Sequence, residues 1–146
     1  MWRGMIVFAG LLGQAGMAHA DSRFFCSADD KQARFTLESG FESDAGHRLN
    51  HFRGAIVVKD PAQATAFGKR VFESQHLTNH WSHDGDLLLE VFDGGDDDTG
   101  GATLDLVVVA GERGKAAANF GGTYSLTIAG GSAPYAVVGK VSCGTK

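Results

Sequence analysis

The sequence predicts an all-β fold, a single-domain antiparallel β-sandwich or barrel of about seven or eight strands with its termini joined by a disulfide. Three observations carry this. Apolar and polar residues alternate with the two-residue period of a strand in one segment after another. Glycine, 21 of the 146 residues, gathers with Asp and Ser between those segments as turn punctuation. The only two cysteines, Cys26 and Cys143, stand near the two ends of the chain that remains once an export signal is removed.

That signal is the first element. Arg3 precedes an apolar run from Met5 to Leu12, and Ala18-His19-Ala20 has the small-x-small pattern of signal-peptidase cleavage. The run is far shorter than the ~20 residues that cross a bilayer as a helix. No cysteine directly follows the small residues, as lipid attachment would require. The expectation is a signal peptide over residues 1–20 and a single β domain over 21–146, periplasmic or secreted, with no membrane insertion after cleavage. In that compartment a disulfide persists.

Arg23 to Ser27 and Arg34 to Phe41 give the first two strands and Arg53 to Lys59 the third. Asp60-Pro61-Ala62-Gln63 then offers an N-cap, a proline at the first helical position and a capping-box glutamine. Gly68 follows as a stop, so one or two helical turns are expected. Next comes a hairpin. With His83-Asp84-Gly85 as a three-residue loop, Ser82 faces Asp86, and Leu77, Trp81, Leu87, Leu89 and Val91 share one face. A two-residue Asp84-Gly85 turn would mix polar and apolar groups on both faces. The three-residue loop is preferred, which makes Trp81 a core residue and turns Leu88 and Phe92 toward the polar side, where they either seed a contact patch or are covered by the Asp60 to Gly68 segment.

Thr103 to Ala110 carries valine on both parities and reads as covered on both faces. Phe120 to Ile128 gives the clearest alternation, with Phe120, Tyr124, Leu126 and Ile128 on one parity. Ala133 to Cys143 is the last strand. Cys143 shares the parity of Val137 and Val141 and so points inward, which makes a Cys26–Cys143 bond a shielded clasp between first and last strand. The scattered aromatics read as core residues, with Tyr135, beside Pro134, as a candidate exposed contact.

Two constellations have metal-ligand composition. His76, His80 and His83 would present three imidazoles on one face of a helix, a transition-metal set. Thr78, Asn79, Trp81 and Ser82 are mediocre helix formers, and on a strand His76 and His80 stand ~13 Å apart, too far to share one ion. Only His47 or His51, brought in by tertiary structure, would complete such a site. Asp93, Asp96, Asp97 and Asp98 bunch in a glycine-rich loop and have the oxygen density that calcium takes. Their spacing is not that of an EF-hand, and a solvated hairpin loop guarding a sheet edge is the simpler reading.

No Gly-x-Ser-x-Gly elbow, spare thiol or phosphate-cradling glycine-lysine loop occurs. The formal net charge of −4 argues against nucleic acid and anionic membrane surfaces as partners. The functional expectation is an exported small β-domain acting as a binding or accessory module without a catalytic set of its own. It would be a monomer with no cofactor, taking a protein or small-molecule ligand, with its loops as the natural place for function and an enclosed cavity or surface contacts both open. The alternatives are a periplasmic metal-binding protein using the histidine cluster and a small hydrolase whose residues converge only in space.

Overall fold

The computed structural model describes residues 23–41, 49–83, 86–111, 119–131 and 133–145. The expected signal peptide, His47 and the Asp84-Gly85 turn lie outside them. Among the described residues the chain runs β1 (Arg23–Asp29), β2 (Ala33–Phe41), β3 (Leu49–Val58), α1 (Ala64–Phe67), β4 (Arg70–Glu73), β5 (Leu77–His83), β6 (Asp86–Asp93), β7 (Thr103–Gly111), β8 (Asn119–Ala129) and β9 (Tyr135–Thr145). Short 3-10 turns occupy Ser74–His76 and Asp97–Thr99. No helix among these residues is long and apolar enough to cross a membrane.

All nine strands belong to one antiparallel sheet in the order β4-β3-β2-β1-β9-β8-β7-β6-β5. The expected all-β antiparallel fold is present as a single, nearly closed sheet, with more strands than the seven or eight read from the sequence. The physical reason lies in strand direction. Every neighbouring pair is antiparallel, so alternation around the sheet from β1 makes β4 and β5 run the same way. They are two halves of one chain direction, interrupted by the Ser74–His76 turn. The first half pairs with β3 and the second with β6, which leaves a seam between them.

One face of each strand supplies the interior. Phe24, Cys26, Phe35, Leu37, Ile56, Phe72, Leu89, Leu104, Leu106, Val108, Tyr124, Leu126 and Ile128 are buried in a single cluster. About eight strand directions make a barrel just wide enough for side chains to fill, and that is the observed state. Tyr124 reaches furthest. Its edge meets the Phe35 ring, with centroids 5.1 Å apart, and its hydroxyl donates to Asp30 Oδ2 at 2.6 Å. The other Asp30 oxygen accepts from the Gln32 and Ala33 N–H groups, which closes the β1–β2 turn. Burial raises the Asp30 pKa, but the Tyr124 and backbone donors outweigh it and hold the carboxyl below its usual range. Opposite Tyr124 stands Gly139, where a Cβ would collide with the Tyr124 ring and the Asp30 carboxylate.

The seam is bridged at one end by charge. Arg70, on β4, donates from Nε to Asp93 Oδ2 at 2.7 Å, from Nη2 to Asp93 Oδ1 at 3.1 Å and from Nη1 to Asp96 Oδ2 at 2.9 Å. The guanidinium also lies over the buried Phe67 of α1, 5.7 Å from the ring centroid. Burial raises the pKa of Asp93, which is 3% exposed, but the Arg70 hydrogen bonds and charge and the Gly95 N–H hold it below the usual carboxylate range. The helix has about one turn, within the expected one or two, and lacks the capping box. Asp60 accepts the Gln63 and Ala64 N–H groups through its carbonyl, and the Gln63 side chain donates to the Ala133 carbonyl at 3.0 Å instead. Gly68 ends the helix as expected.

Two further readings are corrected. His83 pairs with Asp86 and Trp81 with Leu88, so only two residues separate the strands and Trp81 faces outward, 50% exposed. Polar and apolar residues do mix on both faces of β5, which is tolerated because β5 ends the sheet and its core side is only partly covered. β7 is buried on one face alone, for Val109 is 51% exposed.

The Cys26–Cys143 disulfide joins directly opposed residues of β1 and β9, both buried. It closes a loop with a sequence separation of 117. The chain-entropy model gives about 5 kcal/mol for such a loop. Reduction, or the double substitution Cys26→Ala with Cys143→Ala, is expected to lower unfolding free energy by about 2–5 kcal/mol, read from urea unfolding. Asp93→Asn is expected to cost about 2–3 kcal/mol at neutral pH, because it weakens the partners of a mostly buried guanidinium. A depressed carboxyl pKa contributes stability above the unfolded value of about 3.9. The difference between Asp93→Asn and the parent should therefore shrink as pH falls below that value.

Candidate functional site

The two halves of the barrel present different outer faces. On β1–β4 the outward residues are tied by ion pairs, Arg23 and Arg53 with Glu38, and Arg34 and Lys59 with Asp29. On β5–β9 the outward face mixes apolar with polar residues, and Trp81, Phe92, Val109 and Val138 are its exposed large apolar side chains. Trp81, Leu88, Val109, Thr123 and Lys140 form one row across five strands, each paired with the next. A parallel row holds Glu90, Val107, Ser125 and Val138, and a third Phe92, Asp105, Thr127 and Ala136. Phe92 and Val138 are 40% and 71% exposed. Leu88 and Phe92 face outward as the sequence predicts, with Glu90 between them on β6.

A groove of about 770 Å³ crosses this face, with Trp81 on one side and Lys140 on the other and with Asp86, Asn119, Phe120 and Thr123 among its lining. Glycines shape it. Gly122 packs so closely on β7 that a Cβ would run into the Val109 carbonyl and the Ala110 Cα, and at Gly111 a Cβ would meet Asp86 Oδ1 at 2.6 Å. Gly121 differs, because a Cβ there meets nothing nearer than the Val141 carbonyl oxygen at 3.6 Å. Its missing side chain leaves open space in the groove and relieves no clash.

The sequence-derived candidates lie elsewhere. His76 Nδ1 accepts the Glu73 N–H at 3.0 Å, and its ring sits 5.9 Å from that of Phe72, so it caps the 3-10 turn. His80 is opposite the buried Leu89 yet exposed, at the partly covered end of the sheet. His83 ends β5, and His51 is exposed with a φ of 50°. Asp93 and Asp96 turn their carboxylates to Arg70, and Asp96 also caps the Asp97–Thr99 turn through the Asp98 and Thr99 N–H groups, while Asp97 and Asp98 are exposed. Among the described residues no group of three or more His, Cys, Asp or Glu side chains is arranged to hold a metal ion. Tyr135 is half-buried and donates its hydroxyl to Gln32 Oε1 at 3.1 Å, so it pins the β1–β2 turn.

The residues that build the groove, above all Trp81, Val109, Gly121 and Lys140, were not singled out as a site by sequence reasoning. The signal that would have found them is the two-residue turn, which puts Trp81 and Leu88 on one outward row. Comparison of the chain with protein-family models, with curated proteins and with solved structures finds no match.

One polar group on this face is strained electrostatically. Asp105 sits between Phe92 and Thr127, and its Oδ1 is buried without a hydrogen-bond partner among the described residues. Burial and then the Glu90 charge push its carboxyl pKa up. A carboxyl raised on folding binds more protons in the native state, so it costs stability as pH rises through the unfolded value toward the folded one. Asp105→Asn is therefore expected to raise the melting temperature at pH 7, and the gain should vanish when both forms are measured near pH 3.

Proposed function

We propose that this protein is an exported, non-catalytic binding or accessory module that works in the periplasm or outside the cell, as a monomer, through the outer face of β5–β9. The observation that carries the reading is a groove on the outside of β5–β9 lined by the exposed Trp81 and Val109, with Phe92 and Val138 also exposed on that face, on a barrel whose interior is filled. A filled core favours contact at the outside, and exposed large apolar side chains are where such a contact gains most from leaving water. Export is supported by the residue pattern of 1–20 and by a buried disulfide, which suits an oxidising compartment.

Intact mass of the exported protein tests the first half. A product beginning at Asp21 without added lipid is expected, and one retaining earlier residues or carrying a lipid overturns it. Thermal shift with neutral oligosaccharides, long-chain fatty acids and short peptides tests the second. At least one class should stabilise the parent and fail to stabilise Trp81→Ala. Equal shifts in both proteins, or no shift with any class, would remove the β5–β9 face from consideration.

A further inference from the structure

A second groove, of about 480 Å³, lies on the outer face where the sheet closes, over β9, β1 and β2. Three hydroxyls cross it in one row. Ser142 is directly opposed to Ser27, and Ser27 to Thr36, so neighbouring side chains start about 5 Å apart. Each lies between two buried neighbours in its own strand and so points outward. None of the three hydroxyls makes a hydrogen bond among the described residues.

Two residues away on the same strands, the outward positions carry the charges of the lining, Lys140, Asp29 and Arg34. Asp29 is already engaged, for it accepts from Arg34 Nε at 3.0 Å and from Lys59 Nζ at 2.6 Å. Arg34 uses only Nε there, and among the described residues its two terminal nitrogens and the Lys140 ammonium have no partner. The groove therefore gathers donors from three strands without a spare carboxylate to meet them. Its lining carries one more positive charge than negative, on a chain whose formal net charge is −4.

Such a lining suits a ligand that brings negative charge and several acceptor oxygens. A neutral ligand leaves the ammonium and the guanidinium nitrogens unanswered. A carboxylate offers two oxygens in one plane, whereas the donors here surround the groove from β9, β1 and β2. A tetrahedral oxyanion presents oxygens in enough directions to meet them. We infer that the groove between Lys140 and Arg34 binds a tetrahedral oxyanion, phosphate or sulfate, free or as a monoester. This does not depend on the β5–β9 reading above.

Calorimetric titration of the disulfide-bonded protein with inorganic phosphate, sulfate and phenyl phosphate at constant ionic strength tests it, with acetate as comparison. At least one tetrahedral anion should bind, about tenfold or more tighter than acetate. Lys140→Gln should weaken that binding by about tenfold, as should Ser27→Ala combined with Ser142→Ala, since hydrogen bonds to a charged group are the stronger kind. Without ligand these variants should melt within about 2 °C of the parent, because the altered side chains are outward and unbonded. Lys69→Gln, which removes an exposed lysine outside the groove, should leave the affinity unchanged. Tighter binding of phenyl phosphate than of the inorganic ions assigns the groove to an esterified group, and the reverse order to the free anion; either upholds the inference.

Absence of binding by all three tetrahedral anions at millimolar concentration overturns it. So does acetate binding as tightly as they do, or binding that survives both groove variants. A loss with Lys69→Gln as large as with Lys140→Gln would show attraction to diffuse charge and would equally remove the site. None of these results bears on the β5–β9 face, which Trp81→Ala tests separately.

Discussion

Pairing of the first strand with the last is the constraint on which the rest of this structure depends. β1 and β9 lie at the centre of the sheet order, so every other strand is joined to the fold through one of them. Without that pairing the chain is two separate meanders, β1–β4 and β5–β9, each with an uncovered apolar face. Non-local contacts of this kind must first overcome the entropy of closing a long loop. A buried disulfide between directly opposed residues of these strands restricts the unfolded chain and so removes much of that cost from folding.

Closure at the centre throws the remaining irregularity to the far side. The chain crosses there as β4, a 3-10 turn and β5, which share one direction and serve different neighbours. Backbone pairing cannot bridge the seam, and side chains do so instead. Arg70 reaches from β4 to the end of β6, where Asp93 takes two of its N–H groups and Asp96 a third. The acidic loop is thus a counter-charge to a guanidinium that is largely withdrawn from water, and a bidentate pair of this geometry also fixes orientation.

The interior is filled by side chains. Small barrels that hold ligands inside leave volume unoccupied, but here Tyr124, Phe35 and the leucines of β7 and β8 take up the space. The outside is asymmetric, with ion pairs beside the exposed Val57 and Val71 over β1–β4 and with Trp81, Phe92, Val109 and Val138 among polar residues over β5–β9. The glycines there do two jobs. Gly122 lets β7 and β8 approach closely, whereas Gly121 leaves room where a side chain would otherwise stand.

Much of this was legible in the sequence because it is local. Period-two alternation in Phe120–Ile128 and Asp86–Phe92 determined which residues are inside, since a strand's side chains alternate whatever its neighbours are. The parity of Cys143 and the placement of both cysteines near the chain ends determined the clasp. What only tertiary structure decided is where a strand's face meets something else. Trp81 lies outward because β5 is the last strand of the sheet, so its polar and apolar residues need not be sorted between core and solvent. The valines of β7 appear doubly buried from their pattern, yet no second layer among the described residues covers Val109. Asp93 is a buried ion-pair partner because Arg70, 23 residues earlier, lies across a seam that no local pattern announces. Local periodicity specifies orientation within a strand, but which strands have neighbours on each face is a property of the closed sheet.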